Sequence, residues 1–311
     1  MDLDRLRSAR VAVVGDLICD KYVMGRVERI SPEAPVPIVR VERESYFLGG
    51  ASNVALNLKS LGCDVYLFGV VGNDSCGKRL VNMIKESGLD VGGIMVLPDR
   101  PTTLKTRVIA QSQQIVRFDR EKILQIDKKY ALQIASKVKE SGVNAVIVSD
   151  YGKGVVSKHL IDALKGLGVF IAVDPKIKNA DAYKGVDVIT PNLKEACEIS
   201  GVEIDAFVNG IELAAKKIIK KTRCRYLLIT QGENGMSLFD RDGLIIHQPS
   251  QARDVYDVTG AGDTVIAVLT AAVSSGFDIR DAVRLSNAAA GIVVGKMGTA
   301  TVSLEELKEN L

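Results

Sequence analysis

Residues 254–273 read Asp254-Val-Tyr-Asp-Val-Thr-Gly-Ala-Gly-Asp-Thr-Val-Ile-Ala-Val-Leu-Thr-Ala-Ala-Val273. A loop of small residues, Gly260-Ala-Gly262, runs directly into an apolar helical pattern that starts at Val265. A loop of this kind leaves backbone N–H groups free at the start of a helix, where the helix dipole adds positive potential, and the combination favours a phosphate. Asp263 stands in the first turn. Taken alone it reads as an ordinary N-terminal cap. A cap needs no pair of glycines before it, however, and a carboxylate beside an anion loop is also placed to take a proton from an attacking hydroxyl. The loop is not a P-loop, because G-x-x-x-x-G-K-[ST] occurs nowhere in the chain. Nor does a dinucleotide fingerprint follow the first strand, where Gly15 is succeeded by Asp-Leu-Ile-Cys-Asp20.

Outward from this loop, the chain alternates strands and helices. Continuous apolar runs at residues 11–15, 65–71, 145–148, 169–173, 186–189 and 226–229 read as strands buried on both faces. Helical patterns lie between them near 51–61, 76–87, 128–141, 157–166, 193–200 and 207–221. The alternation predicts an α/β fold, with a mainly parallel central sheet sandwiched between two layers of helices. Residues 22–47 and 94–119 break the pattern. They hold β segments with polar residues at alternate positions and no connecting helix, which predicts a small antiparallel accessory sheet with one open face. Such a face needs a ligand or another subunit against it.

Composition narrows the function. The 311 residues carry 41 Lys+Arg against 38 Asp+Glu, a net charge of +3. That balance gives no electrostatic case for nucleic-acid binding. No apolar run is long enough to span a bilayer, and the N-terminus lacks a signal-peptide core, so a cytoplasmic protein without a membrane partner is expected. The five cysteines, Cys19, Cys63, Cys76, Cys197 and Cys224, form no C-x-x-C pair and read as free thiols. His159 and His247 lie far apart in unrelated contexts, which disfavours a His-based metal site or a Ser-His-Asp triad.

Three segments together carry a resemblance. Asp257-Val-Thr-Gly-Ala-Gly-Asp263 resembles the second signature of the PfkB (ribokinase-like) carbohydrate kinases, Gly49-Gly-Ala-Ser-Asn-Val-Ala-Leu-Asn-Leu-Lys-Ser-Leu-Gly62 resembles the first, and Thr190-Pro-Asn-Leu-Lys-Glu195 resembles the N-x-x-E motif. They occur in the family's order and spacing, and the resemblance covers essentially the whole chain. Within the family, Arg29-Ile-Ser-Pro-Glu-Ala-Pro-Val-Pro-Ile38, Pro191-Asn-Leu193, Val255–Val265 and Asn287–Thr299 are most similar to the branch acting on D-glycero-β-D-manno-heptose 7-phosphate in ADP-heptose biosynthesis. The resemblance implies a ribokinase-like three-layer sandwich, one kinase domain over 1–311 with the lid segments inserted in it, and transfer of phosphate from ATP to the anomeric hydroxyl. Kinases of this branch are often fused to a nucleotidyltransferase domain; no H-x-G-H segment occurs here, so only the kinase half is expected.

The resemblance also assigns roles. Asp263 is the implied base, and the amides of Gly260, Ala261 and Gly262 the anion hole. Asn192 and Glu195, which otherwise read as a polar helix start after Pro191, are implied in organising Mg²⁺ and phosphates through water. Asp16, beyond the first strand, is implied to hold sugar hydroxyls, with Asp20 a turn residue or a second candidate. Gly49, Gly50 and Asn53 border the sugar, although the glycines would equally serve close packing. Lys105 and Arg107 project to one side of a strand and Arg117 lies on the next; a charged open face is commonly just solvated, but Lys105 and Arg117 would here meet the substrate's own phosphate. Lys153 and Lys176 are further candidates for phosphate contact. Thr230, Gly232, Gly235 and Asn287 are placed on the nucleotide side, and Asp257 and Thr259 at a monovalent-cation site of the K⁺ type. The expected partners are a sugar phosphate, ATP and a second copy of the chain, packed through the accessory sheets. A kinase for another sugar, or a non-catalytic sugar- or nucleotide-binding regulator on the same fold, are the alternatives.

Overall fold

The computed structural model describes residues 1–111, 113–203, 210–252, 255–296, 298 and 300–311. In chain order its elements are β1 (Arg10–Ile30), β2 (Pro37–Gly50), α1 (Ala51–Ser60), β3 (Asp64–Gly72), α2 (Ser75–Glu86), β4 (Ile94–Leu97), β5 (Thr103–Ala110), β6 (Gln113–Arg120), α3 (Lys128–Glu140), β7 (Ala145–Ser149), α4 (Lys158–Lys165), β8 (Phe170–Asp174), β9 (Val188–Ile189), α5 (Leu193–Ser200), α6 (Ile211–Thr222), β10 (Tyr226–Thr230), β11 (Met236–Asp240), β12 (Gly243–Gln248), α7 (Ala261–Ser274), α8 (Ile279–Val293) and α9 (Leu304–Glu309). The central sheet has the order β12-β11-β10-β9-β8-β7-β1-β3-β4 and is parallel from β10 to β4.

Each apolar strand run feeds two cores, because successive side chains point to opposite faces. Val11, Val13, Ala145 and Ile147 join the core under α1, α2, α7 and α8. Their neighbours Ala12, Val14, Val146 and Val148 join the core under α3, α4, α5 and α6. This two-sided burial explains why the runs lack polar alternation, and it gives the three-layer sandwich expected from the sequence.

The apolar start at 11–15 is only the beginning of β1, a strand of 21 residues. Up to Asp16 it pairs in parallel with β3, and up to Gly15 with β7. From Leu17 it pairs antiparallel with β2, and from Ile18 parallel with β5. β6 completes this second sheet antiparallel to β5, and all eight of its residues are exposed. The accessory sheet is therefore mixed rather than antiparallel, since β1 and β5 run the same way. The segment 94–119 also starts inside the central sheet, where β4 extends the parallel edge beside β3. β4 is a run of only four apolar residues, Ile94-Met-Val-Leu97, and so short a run looks alike in sequence whichever sheet it joins.

The hairpin β11–β12 closes the other edge and has no counterpart in the apolar-run reading, because its apolar runs are no longer than the three residues Leu244-Ile-Ile246. Its turn is held by Asp240, which accepts the amides of Asp242 at 2.8 Å and Gly243 at 3.2 Å. The helix expected over 207–221 begins at Ile211, and residues 207–209 lie outside the described residues, as do Asp254, Met297 and Thr299 of the segments quoted above. All five cysteines are free. Among the described residues no helix is long and apolar enough to cross a membrane.

Candidate active site

The carboxyl ends of the parallel strands and the start of α7 meet at one place, as expected for ligand sites in open α/β sheets. Gly260 turns the chain into α7 with φ 86°, a left-handed conformation that glycine adopts without strain. Asp263 follows in the first turn but makes no capping bond. It is buried, and its carboxylate reaches across to two other elements. Oδ2 accepts from Asn53 Nδ2 at 2.7 Å, and Oδ1 accepts from the Tyr151 hydroxyl at 2.9 Å. Burial pushes this carboxyl up to about 6, while the two donors and Lys105 pull it down and the Asp20 charge adds to the rise.

Of the three amides expected to form the anion hole, that of Ala261 is already used, donating to Val258 O at 3.2 Å. Gly262 stands one residue into the helix, where amides lack intrahelical acceptors. A Cβ built on Gly262 meets nothing within 4 Å, so this glycine faces open space.

α1 supplies the opposite wall. A Cβ on Gly49 would lie 2.1 Å from Asp20 Oδ2, and Gly50 has φ 58°, so both glycines are required by close approach and backbone conformation. Asn53 is fully buried, and its Oδ1 has no partner. One turn on, Asn57 Oδ1 accepts from Thr264 Oγ1 at 2.8 Å, locking α1 to α7 beside the Asn53–Asp263 bond. Sequence reading singled out neither Asn57 nor Thr264. The only available signal is their helical spacing from Asn53 and their adjacency to Asp263.

The two aspartates of β1 separate in role. Asp16 is buried and accepts three backbone amides: Tyr151 N and Lys153 N, each at 2.9 Å, and Val155 N at 3.1 Å. Burial raises its pKa against these three bonds. Its carboxylate shapes the loop after β7, with Oδ2 accepting two of these amides and Oδ1 one. Asp20, by contrast, lies against Gly49 under the lid and pairs with Arg107 Nη1 at 2.5 Å. Arg117 is bidentate to Asp119, at 2.9 and 2.6 Å, and Lys153 pairs with Glu121 at 2.6 Å. Lys105 stands among these cations with its ammonium 5.1 Å from the centre of the Tyr151 ring. Burial lowers its pKa, with Asp20 opposing and Arg117, Lys153 and Arg107 adding to the fall. Lys105 and Arg117 thus share one side of the lid with Arg107 and Lys153.

Asn192 and Glu195 form a reciprocal capping box at the start of α5. Asn192 Oδ1 accepts Glu195 N at 2.9 Å, and Glu195 Oε2 accepts Asn192 N at 3.2 Å. The structural half of the motif's reading therefore holds, and Glu195 Oε1 remains toward Lys176 Nζ at 3.7 Å. Burial raises the Glu195 pKa. Asp174, at the end of β8, also has its pKa raised well above the ordinary range by burial and then by the charges of Asp263, Glu195 and Asp150. Sequence reading used the Asp174-Pro-Lys176 segment only for its lysine.

Beyond α7 lies a cavity of about 400 Å³, mainly apolar, whose lining includes Thr230, Gly232, Gly235, Val258, Gly262 and Asn287. Thr230, Gly232, Gly235 and Asn287 thus share one cavity, with Gly262 in its lining. Asn287 donates to Pro249 O at 2.7 Å and so fixes the strand that borders it. Asp257 ties two loops, accepting Thr259 N at 2.9 Å and Gly298 N at 3.2 Å. No cluster of three or more His, Cys, Asp or Glu side chains suited to a metal occurs among the described residues.

A family profile described as "pfkB family carbohydrate kinase" matches residues 8–307. The chain is 44% identical over 309 residues to "Bifunctional protein HldE" of Geotalea uraniireducens, covering 97% of this chain and 63% of that protein. It is 42% identical to the protein of the same name from Syntrophotalea carbinolica, covering 99% and 64%. The chain therefore spans less than two thirds of the length of these relatives. Among solved structures, Arabidopsis thaliana ribokinase complexed with ribose and ATP matches with a TM-score of 0.76 at 20% identity, covering 97% of this chain and 98% of that one. Escherichia coli phosphofructokinase-2 in complex with potassium matches with a TM-score of 0.80 at 17% identity, over the same shares of the two chains. At these identities the two structures speak for the fold.

Proposed function

The chain belongs to the pfkB family of carbohydrate kinases, and from that premise we propose that it phosphorylates D-glycero-β-D-manno-heptose 7-phosphate at O1 with ATP, giving the 1,7-bisphosphate in the cytoplasmic synthesis of ADP-heptose. The observation that carries the reading is the place of Asp263. It is a buried carboxylate at the mouth of an anion-binding helix start, with a nucleotide-sized cavity on one side and a cation-bearing lid on the other. The heptose assignment is supported by the Arg29–Ile38 segment and by the relatives named above.

In this reading the anomeric hydroxyl attacks the γ-phosphorus, the bond to the β-phosphate oxygen breaks, and the hydroxyl proton passes to Asp263. The free amides at Gly260 and Gly262, with the dipole of α7, neutralise charge on the transferring group without rearranging. Asn53 Oδ1 is free to accept a sugar hydroxyl. Asp16, whose Oδ1 accepts one amide only, and Asp20 are the proposed contacts for further sugar hydroxyls. Lys105, with Arg117 and its neighbours, meets the 7-phosphate.

Mg²⁺, when bound with ATP, would neutralise the phosphates and hold them in line. Glu195 fits that ion through water, because its Oε1 is free of the capping box and Mg²⁺ keeps much of its hydration. Asp257 and Thr259 are the proposed border of a K⁺ site, and the accessory sheets the proposed dimer contact. The test is turnover of a sugar panel by the purified chain with ATP and Mg²⁺. ADP release with the heptose 7-phosphate is expected. Turnover with ribose or fructose 1-phosphate but not the heptose would overturn the substrate and leave the kinase, and tight ATP and sugar binding without any turnover would favour a regulator.

A further inference from the structure

Tyr151 lies in the loop after β7, in a segment that no signature motif covers. Its three polar or aromatic features each meet a different part of the site. The backbone N–H donates to Asp16 at 2.9 Å. The hydroxyl donates to Asp263 Oδ1 at 2.9 Å. The ring carries the Lys105 ammonium 5.1 Å from its centre, within cation–π range. With Asn53 on Oδ2, the Tyr151 hydroxyl completes a clamp that gives each oxygen of Asp263 one fixed donor and leaves each with a further lone pair.

We propose that Tyr151 is the positioning residue that sets both the orientation of Asp263 as base and the place of Lys105 as phosphate contact, with Asp16 holding the loop that carries it. The inference rests on the Proposed function only in taking Asp263 as the base. Tyr151 keeps its own proton throughout: the sugar hydroxyl proton goes to a free lone pair of Asp263, and the phenol donates to the same carboxylate before and after. A donor to the ionised form lowers a carboxyl's pKa, so its removal raises it. The other charged or titratable groups facing Asp263 are Asp20 from β1, Lys105 from β5 and Asp174 from β8, and none of them changes in the test below.

The test compares Y151F, Y151L and D263N with the unmodified chain, in pH–rate profiles with ATP, Mg²⁺ and whichever sugar phosphate of the panel the unmodified chain turns over fastest. Y151F keeps the ring and loses the hydroxyl. Its kcat is expected to fall about ten-fold, and its acid limb to move up by about half to one pH unit, with KM for the sugar phosphate within about two-fold of the unmodified value. Y151L loses the ring as well, and its KM for the sugar phosphate is expected to rise about ten-fold further. A Y151F acid limb that superimposes on the unmodified one overturns the link to Asp263, whatever happens to kcat. Equal KM values for folded Y151L and Y151F overturn the link to Lys105; if Y151L does not fold, Y151M is read in its place, and a KM equal to that of Y151F overturns the link. Full turnover by D263N sinks the base itself and is a separate result from either.

Discussion

Asp263 reaches its place because a helix start puts it there and three other elements surround it, and its chemistry follows from that burial. With the carboxyl raised to about 6, the rate should fall as pH drops through that value and reach a plateau above it, which a pH–rate profile at saturating substrate measures. The same shift has a stability consequence of opposite sense. Between its ordinary value of 3.8 and about 6 the folded chain holds this proton more tightly than the unfolded one, so the group's contribution to stability falls as pH rises across that window. D263N removes the buried charge. Its stability relative to the unmodified chain should therefore be greater at pH 8 than at pH 4, by up to about 3 kcal/mol in denaturant titrations. Gly262 separates activity from stability in another way. An alanine there has room and a helical backbone, so G262A should keep or raise the melting temperature, while its methyl fills the phosphate's space and lowers kcat by about a hundred-fold. At this scale the sequence announced the glycine loop and its aspartate plainly, because small residues before an apolar helix have few other uses. It favoured Asp16 over Asp20 for the sugar, without showing what holds either carboxylate. The two stand four positions apart on one strand and share a face, and the amides of residues 151, 153 and 155, brought in by a distant loop, bind the first carboxylate and not the second. Tyr151 was silent for the same reason.

The elements that build the lid bring charge into a half-buried place. Asp20 and Arg107 are both largely shielded, so R107A would leave a buried carboxylate without its cation. It should destabilise the chain by about 3 kcal/mol, and adding D20N should recover part of that loss, as chemical denaturation of the single and double variants would show. K105A removes a cation that has no carboxylate within ion-pair range among the described residues, and should leave the melting temperature nearly unchanged while raising KM for a phosphorylated sugar by about ten-fold over that for its unphosphorylated form. The central strands were legible because two-sided burial writes continuous apolar runs. β4, β11 and β12 were not, since their apolar runs are short and nothing local names the strand each one pairs with. The mixed direction of the lid was equally hidden: β1 and β5 are separated by five other elements, and nothing local fixes that they run parallel.

For the whole molecule, the lid leaves Ile30, Val41, Ile115, Val116 and Phe118 exposed on strands that no helix covers. Packing two lids together would bury them, and light scattering should give a dimer for the unmodified chain and a monomer for an F118K and V116K double variant. The strand that joins lid to core adds a mechanical constraint. β1 changes partners between Gly15 and Ile18 without a break, belonging to the central sheet before that stretch and to the lid after it. Along β1 there is no loop for the lid to swing on. Any closing or opening must be taken up as torsion along those few peptide units, with the restoring force of a strand paired on both sides. Asp16 is anchored on the fixed end and Asp20 rides on the moving end, so the twist of a single strand sets the gap between the loop that steadies the base and the surface that would grip the sugar.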